Sequence, residues 1–331
     1  MENFQKELMG ARTIAIAGHV RPDGDCIGSS TALYQYLNRN KKRFGIESVD
    51  LYLEPFGNEF SMLGAIDEIK HTCDGDQDYD LFISLDCASL DRLGDAVKYF
   101  DTAKKTLNID HHISNTGFAQ VNHVVADASS TSEVIFTLLE EEEITKDIAS
   151  SLYVGIIHDT GVFKHSNTTQ KTMNIVGKLI NKGIDFSKLI DESFYSKTYM
   201  QNQILGRCLM ESILVLGGKV IVSAIRQSIL NFYQARSTDL EGIVDQLRVT
   251  KGVEVAIFIY ETNPNEFKVS MRSNGKVNVS KIAIYFGGGG HVMAAGCTMY
   301  GVLNDVINNL TPHIEAQLKE FEEPEGAYRF D

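Results

Sequence analysis

Acidic residues and histidines collect directly after the buried elements predicted for the first half of the sequence. The four clusters are Gly18–Asp25, Asp86, Asp110–His112 and His158–Gly161. A ligand set of carboxylates and imidazoles without cysteine suits Mn²⁺ or Mg²⁺ better than structural zinc. There are enough ligands for two ions, and two ions about 3.5–4 Å apart can polarise a phosphoryl group and generate hydroxide. The clusters therefore indicate metal-assisted displacement at phosphorus.

Taken one at a time, these residues also have a purely structural interpretation. Asp and His after a strand commonly cap a helix or close a turn, and for any single position that interpretation is preferred. Side chains at the carboxyl ends of parallel strands, however, converge on one crevice. Because all four clusters follow buried elements, we expect them to form one site.

The elements that must position these clusters alternate between strand and helix. Ser130, with Glu133 three residues later, is typical of a capping box at a helix start. The alternation predicts an α/β fold whose N-terminal domain is a doubly wound, mainly parallel sheet. Strands are predicted over Thr13–Ala17, Val49–Leu53, Leu81–Leu85 and Lys105–Ile109, and helices over Cys26–Leu37, Ser130–Leu139 and Lys146–His158.

The second half of the sequence has a different pattern, which predicts a smaller C-terminal α/β domain with a mixed sheet. Its strand-like runs are Ser212–Leu216, Lys219–Ile225, Val253–Tyr260 and Phe267–Arg272, and its helical patterns are Leu240–Leu247 and Val302–Phe321.

The length of 331 residues predicts two domains with a cleft between them. Residues 1–185 would form the catalytic domain with the metal cluster, and residues 206–331 would form the substrate-binding domain. Residues 186–205 would connect the two domains. The last ten residues, EEPEGAYRFD, are expected to form a loose tail.

Composition and charge argue against several classes of protein. Hydrophobic residues make up 43% of the chain and charged residues 23%, as in ordinary globular proteins. The 31 basic and 44 acidic residues give a net charge of −13. This charge argues against a protein that binds long DNA or RNA through many phosphate contacts. The negative charge does not exclude a small anionic substrate, because bound divalent cations reverse the local electrostatic field.

Cysteine usage and hydropathy indicate a compartment. The five cysteines are widely spaced without a C-x-x-C pair, which predicts a reduced protein without disulfides or a cysteine-based zinc site. No stretch approaches the ~18 apolar residues of a transmembrane helix, and MENFQKELMG lacks the apolar core of a signal peptide. We expect a cytoplasmic protein that does not act at a membrane.

Six segments, taken in order, resemble the motifs of the DHH phosphoesterase superfamily with its DHH-associated C-terminal domain. They are HVRPDGDCIGSS, SLDCASLDRLG, NIDHHISN and GIIHDTGVFKHSNTT in the first half, and VSMRSNGKVNVSKIA and GGGGHVMAAG in the second. The resemblance covers nearly the whole chain, and six motifs in family order are highly specific. The sequence is most similar to the branch of bacterial oligoribonucleases and 3′-phosphoadenosine 5′-phosphate (pAp) phosphatases, rather than to the longer RecJ exonucleases.

The resemblance implies a set of metal ligands and two catalytic residues. His112 would face the scissile phosphate, and Asp110 would orient an imidazole. Mn²⁺ is the expected ion, with Mg²⁺ as the alternative. One ion would be held by His19, Asp23 and Asp86, and a second by Asp25, Asp86, His111 and Asp159, so that Asp86 bridges the ions and acts with His112 in catalysis.

Substrate contacts are expected in the second domain. A glycine run is often only a flexible loop. Its backbone N–H groups can also approach an anion closely, and beside the guanidinium fork of Arg272 this phosphate cradle becomes the favoured interpretation. The expected contacts are Arg272, Ser273, Asn274, Gly288, Gly289, Gly290 and His291.

Four residues near the motifs receive no role. His123 and His158 do not fall on metal positions, and we expect surface or packing histidines there. Cys26 and Cys87 adjoin ligands, but neighbouring side chains of a strand or turn point to opposite sides.

The resemblance implies a hydrolase: a metal-dependent phosphodiesterase that degrades very short oligoribonucleotides to mononucleotides and also converts pAp to AMP. One alternative is a soluble enzyme for cyclic di-AMP or its linear product pApA. Another is a nucleotide-binding regulatory module without turnover. The partners would be short RNA and small phosphorylated nucleotides, and a homodimer is compatible with the sequence.

Overall fold

In the computed structural model, which describes residues 2–322, the first half of the chain builds a sheet of six parallel strands. Their order is β3-β2-β1-β4-β5-β6, which confirms the predicted doubly wound parallel sheet. The strands are β1 Thr13–Ala17, β2 Ser48–Tyr52, β3 Ile69–Lys70, β4 Leu81–Leu85, β5 Thr106–Asp110 and β6 Val121–Val124.

Helices cover both faces of this sheet, as a parallel sheet requires. Because side chains alternate along a strand, Ile14 and Ile16 enter a core shared with the helices that follow β1 and β6. Ala15 and Ala17 face a second cluster rich in tyrosine. The helices are α1 Glu2–Leu8, α2 Gly24–Arg39, α3 Lys41–Phe44, α4 Val97–Thr102, α5 Thr131–Leu138, α6 Lys146–Asp159, α7 Gln170–Ile180 and α8 Phe186–Ile190.

The second half of the chain builds a mixed sheet, also as predicted. Its order is β11-β12-β10-β9-β8-β7, with β8 and β9 parallel and the other neighbours antiparallel. The strands are β7 Ile213–Val215, β8 Val220–Ile225, β9 Val255–Asn263, β10 Glu266–Ser273, β11 Gly289–His291 and β12 Ala294–Tyr300, and the helices are α9 Tyr199–Met210, α10 Gln227–Tyr233, α11 Ile243–Arg248, α12 Val279–Tyr285 and α13 Leu303–Glu322.

The chain divides into two compact units, one ending at Ser196 and the other beginning at Lys197. The division falls within the predicted connector, residues 186–205, which contains α8 and the start of α9. All but the first residue of the predicted C-terminal tail lies outside the described residues. No helix within residues 2–322 is long and apolar enough to cross a membrane. The five cysteines are free.

The strand order fixes where the predicted site can form. The chain leaves β1 toward β2 and β3, then returns to β4 on the other side of β1. A crevice opens beyond the carboxyl ends of the strands at such a switch point. The first two clusters follow β1 and β4, and the third begins at the last residue of β5.

Two glycines let helices α2 and α6 approach one another at this crevice. A Cβ at Gly28 would collide with the backbone of Ser151 and Gly155. A Cβ at Gly155 would collide with the side chains of Ser132 and Asp25. Because α6 can pass so close, Asp159, one turn beyond Gly155, reaches the same crevice.

Candidate metal centre

The loop after β1 delivers the first ligands. Asp23 is the N-cap of α2, and its Oδ1 accepts the backbone N–H groups of Asp25 and Cys26, each at 3.1 Å. These bonds satisfy helix donors that would otherwise be free, which is why an Asp suits this position. The other oxygen, Oδ2, lies 3.6 Å from Nε2 of His19. One carboxylate therefore starts the helix and faces the cluster.

Asp86 lies at the centre of the cluster. It follows β4 with a φ of 57°, in the left-handed region that a non-glycine residue adopts at a cost, although Asp is among the residues that tolerate it best. Its N–H donates to the carbonyl of Ile109 at 3.1 Å, which secures the turn. This turn aims a nearly fully buried carboxylate into the crevice.

The two oxygens of Asp86 face two different imidazoles. Oδ2 lies 3.5 Å from Nε2 of His19, and Oδ1 lies 3.6 Å from Nε2 of His111. Nε2 of His111 also lies 3.0 Å from Oδ2 of Asp159, and Asp25 joins this second group. The structure therefore brings together all six predicted ligands, in two groups that share Asp86. Two divalent cations are what such a donor set can hold.

Asp25 is held by the first turn of α5. Its Oδ2 accepts the N–H of Thr131 at 2.6 Å, and its Oδ1 accepts the N–H of Ser132 at 2.9 Å. The carboxylate is completely buried. The partial positive charge of the helix N-terminus stabilises a negative charge at this position.

The outer nitrogens of both imidazoles are also held. Nδ1 of His19 lies 2.9 Å from the carbonyl of Val20, and Nδ1 of His111 lies 3.4 Å from the carbonyl of Ala128. When Nδ1 donates its proton to a carbonyl, Nε2 presents its lone pair. This arrangement is the usual one behind a metal-binding histidine.

The clustered charges shift the pKa values of their neighbours. Burial lowers the pKa of His19, but hydrogen bonds to Asp23 and Asp86 outweigh it and raise the value to about 10. The pKa of His111 is raised to about 10 in the same way, chiefly through its bond to Asp159. Burial raises the pKa of Asp25, with the charges of Asp86 and Asp159 adding to the effect. The cluster thus holds protons that a bound cation would displace.

A chain of hydrogen bonds orients His112. Nδ1 of His112 donates to Oδ1 of the fully buried Asp110 at 2.8 Å. Nδ2 of Asn115 donates to the other oxygen of Asp110 at 2.6 Å and to Oδ1 of Asn108 at 2.8 Å. The bond to Asp110 raises the pKa of His112 although burial opposes it. His112 is therefore suited to donate a proton, and its side chain is 42% exposed.

In the second unit, Arg272 lies on β10 with its Nε 3.2 Å from Oδ1 of Asp245. Ser273 and Asn274 follow directly, but their side chains serve the fold. Oγ of Ser273 accepts the N–H groups of Gly275 and Val277 at 3.1 and 3.3 Å. Nδ2 of Asn274 donates to the carbonyls of Arg248 and Val253, and its Oδ1 accepts from Nη1 of Arg248 at 2.8 Å. Both side chains thus have partners within the fold, and substrate contacts at Ser273 and Asn274 stay a prediction.

The glycine run forms part of the edge strand of the second sheet. Gly289 and Gly290 lie on strand β11 and pair with β12, while the N–H of Gly288 donates to the carbonyl of Ala283 at 2.8 Å. A Cβ at Gly288 or Gly290 would collide with the backbone of β12. Close strand packing therefore accounts for Gly288 and Gly290, while His291 is an exposed side chain at the end of β11. The phosphate cradle stays a prediction.

Two residues without an assigned role lie beside the cluster. Sγ of Cys26 lies within 4.8 Å of ligand atoms of His19 and Asp86, contrary to our expectation that it points away. Burial raises the pKa of this thiol well above its usual range, so it is neutral and packs against Gly18. Nη2 of Arg92 lies 3.1 Å from Nδ1 of His19. The sequence analysis did not single out Arg92, although it lies in the motif SLDCASLDRLG.

His123 and His158, which were not expected at metal positions, are a surface and a packing histidine. His158 packs between the rings of Phe60 and Phe194, with centroid distances of 5.2 and 5.3 Å. The His158 ring also fills the space beside Gly24, the first residue of α2. His123 is exposed on β6.

We predict that metal binding releases protons and tightens as pH rises. His19 and His111, with pKa values of about 10, are protonated at neutral pH, whereas a ligand imidazole must be neutral. Calorimetric titration with Mn²⁺ at neutral pH, in two buffers of different ionisation heat, should show at least one proton released per ion. A His123→Gln variant is the control and should release the same number. Equal heats in both buffers would contradict the prediction.

Comparisons with known proteins agree with this fold. Residues 13–156 match the DHH family, N-terminal domain, and residues 217–320 match the DHHA1 domain. The Bifunctional oligoribonuclease and PAP phosphatase NrnA of Thermus thermophilus is 30% identical over 294 residues, which are 87% of this chain and 85% of the relative. The protein of the same name from Bacillus subtilis is 28% identical over 316 residues, or 94% and 96% of the two chains.

A solved structure has the same fold along the chain. The exopolyphosphatase-related protein from Bacteroides fragilis superposes with a TM-score of 0.85 at 24% identity, and the match covers 97% of each chain. At this identity the likeness concerns the fold alone. The two matched domains and the extent of the identity to the curated relatives establish the family, and the chain belongs to the DHH phosphoesterases.

Proposed function

We propose that this phosphoesterase hydrolyses very short oligoribonucleotides to mononucleotides and also converts pAp to AMP, using two divalent ions. The two relatives described above carry names that state oligoribonuclease and PAP phosphatase activities. The observation that carries the proposal is the position of Asp86, whose two oxygens face two separate groups of ligands. A shared carboxylate of this kind is what a two-ion phosphoesterase needs.

In this proposal, His19, Asp23 and Asp86 hold one ion, and Asp25, Asp86, His111 and Asp159 hold the other. Carboxylate oxygens and imidazole nitrogens fit Mn²⁺, with Mg²⁺ as the alternative. When bound, two such ions polarise the phosphoryl group and activate the attacking water. The buried carboxylates supply the negative charge that balances the ions.

His112 is proposed to act on the leaving group. Asp110 fixes its ring through Nδ1, at 2.8 Å, so Nε2 is the nitrogen that can reach a substrate. The same bond raises the pKa of His112, which favours the ring form that carries a proton on Nε2. His112 can then protonate the leaving oxygen or stabilise charge on the phosphate as it develops.

Arg272 and His291 are proposed to bind a terminal phosphate of the substrate. Asp245 holds Nε of Arg272 and the carbonyl of Met271 accepts from Nη1, which orients the planar guanidinium while leaving Nη2 to bind an anion. A phosphate held at one end favours short substrates with a terminal phosphate. The short-RNA and small-nucleotide partners, and a location in the reducing cytoplasm, belong to the same proposal.

A substrate panel tests the proposed activity. With Mn²⁺ present, we expect turnover of linear di- to pentaribonucleotides and of pAp, with little or no turnover of cyclic di-AMP. Asp86→Asn is the control: the neutral amide cannot balance two ions, so metal content and turnover should fall together. Activity retained in this control would place the hydrolysis outside the proposed site.

The panel also separates the alternatives. Preference for cyclic di-AMP over the linear substrates would favour a cyclic-dinucleotide phosphodiesterase. Binding of nucleotides without turnover, by protein that carries its metals, would favour a regulatory module. Either result would overturn the proposed activity.

Substitution of Arg272 tests the proposed phosphate contact. Loss of a bidentate charge-assisted contact in Arg272→Ala should lower kcat/KM for pAp and dinucleotides by roughly 10- to 100-fold. Bis-p-nitrophenyl phosphate has no terminal phosphate, so kcat/KM for this substrate should fall much less. The metal content of the variant should not change. The matched control is Arg207→Ala, which removes an arginine of the same unit that pairs with Glu211. Equal losses on both substrates would mean that Arg272 acts on the reacting phosphate or on the fold.

A further inference from the structure

We infer that Thr131 is a positioning residue that orients the shared carboxylate of Asp86 through its hydroxyl group. The inference rests on the proposed two-ion hydrolysis, because it concerns how the bridging ligand is held. It assigns to Thr131 a role that the capping pattern at the start of α5 does not reveal.

The hydroxyl makes a short bond to the shared carboxylate. Oγ1 of Thr131 lies 2.9 Å from Oδ1 of Asp86, and the hydroxyl donates because an ionised carboxylate can only accept. Thr131 is completely buried and Asp86 nearly so. Water therefore offers the carboxylate little competition for this bond. The plane of the Asp86 carboxylate decides which oxygen faces His19 and which faces His111, and the bond restrains that plane.

The hydroxyl of Thr131 is not needed to cap the helix. The N-cap is Ser130, whose Oγ accepts the N–H of Glu133 at 3.0 Å. The backbone N–H of Thr131, another donor at the helix start, already binds Asp25 at 2.6 Å. A purely local role in helix α5 therefore does not account for the hydroxyl. The bond to Asp86 does.

Thr131 thus holds two carboxylates through different atoms. Its backbone binds Asp25 of one ligand group, and its side chain binds the carboxylate that both groups share. A side-chain substitution removes the second bond and keeps the first. Because Thr is β-branched, its χ1 angle is restricted, which keeps the hydroxyl on the Asp86 side at little entropic cost.

Three variants test this role. Thr131→Val keeps the shape but removes the hydroxyl, and Thr131→Ser keeps the hydroxyl. Thr137→Val makes the same change in α5 at an exposed position, where the hydroxyl bonds only to the carbonyl of Val134. Mn²⁺ affinity is measured by equilibrium dialysis without substrate, and kcat and KM are measured separately at saturating Mn²⁺.

We expect Thr131→Val to weaken Mn²⁺ binding or lower kcat by about 10- to 100-fold, the usual effect of losing a partner of a metal ligand. KM should change much less. Thr131→Ser should restore most of the loss, and Thr137→Val should match the wild type. If Thr131→Val does not fold by circular dichroism, Thr131→Ala replaces it with the same expectation.

Two results would overturn the inference. One is wild-type Mn²⁺ affinity and kcat in a folded Thr131→Val or Thr131→Ala variant. The other is an equal loss in Thr131→Ser, which would indicate a packing role for the methyl group. Both leave the proposed function intact, whereas a wild-type protein that neither binds Mn²⁺ nor hydrolyses the panel would overturn the proposed function itself.

Discussion

The structure of the candidate metal centre depends on the burial of the Asp86 carboxylate between two imidazoles. Like charges accumulate around it, since Asp23, Asp25 and Asp159 reach the same crevice. Burying carboxylates so close together is unfavourable without compensation. His19, His111 and the first turn of α5 supply that compensation. The same crowding of negative charge is what favours divalent cations at this place.

The fold brings these groups together through backbone geometry. The order of the parallel strands puts β1 beside β4 at the switch point, and the turn at Asp86 uses a left-handed conformation to aim its carboxylate. Helix α6 reaches the crevice because Gly28 and Gly155 permit close contact with α2 and with Asp25. The chemistry of the site therefore rests on residues that carry no functional group at all.

The sheet and the convergence of the acidic and histidine clusters could be predicted from the sequence, because strand ends and residue types are local features. The bond from Thr131 to Asp86 could not be predicted, since these residues are far apart in the chain and a hydroxyl at a helix start suggests only a cap. Strand β12, with which the glycine run pairs as an edge strand, was not predicted. The partners of Ser273 and Asn274 were hidden for the same reason: they depend on tertiary packing.

Binding of two ions at Asp86 is tested most directly by anomalous diffraction from crystals of the protein loaded with Mn²⁺. We expect two anomalous peaks, with one oxygen of Asp86 directed at each. His19 and Asp23 should lie at one peak, and Asp25, His111 and Asp159 at the other. A single peak in crystals saturated with Mn²⁺, or two peaks of which only one contacts Asp86, would contradict it.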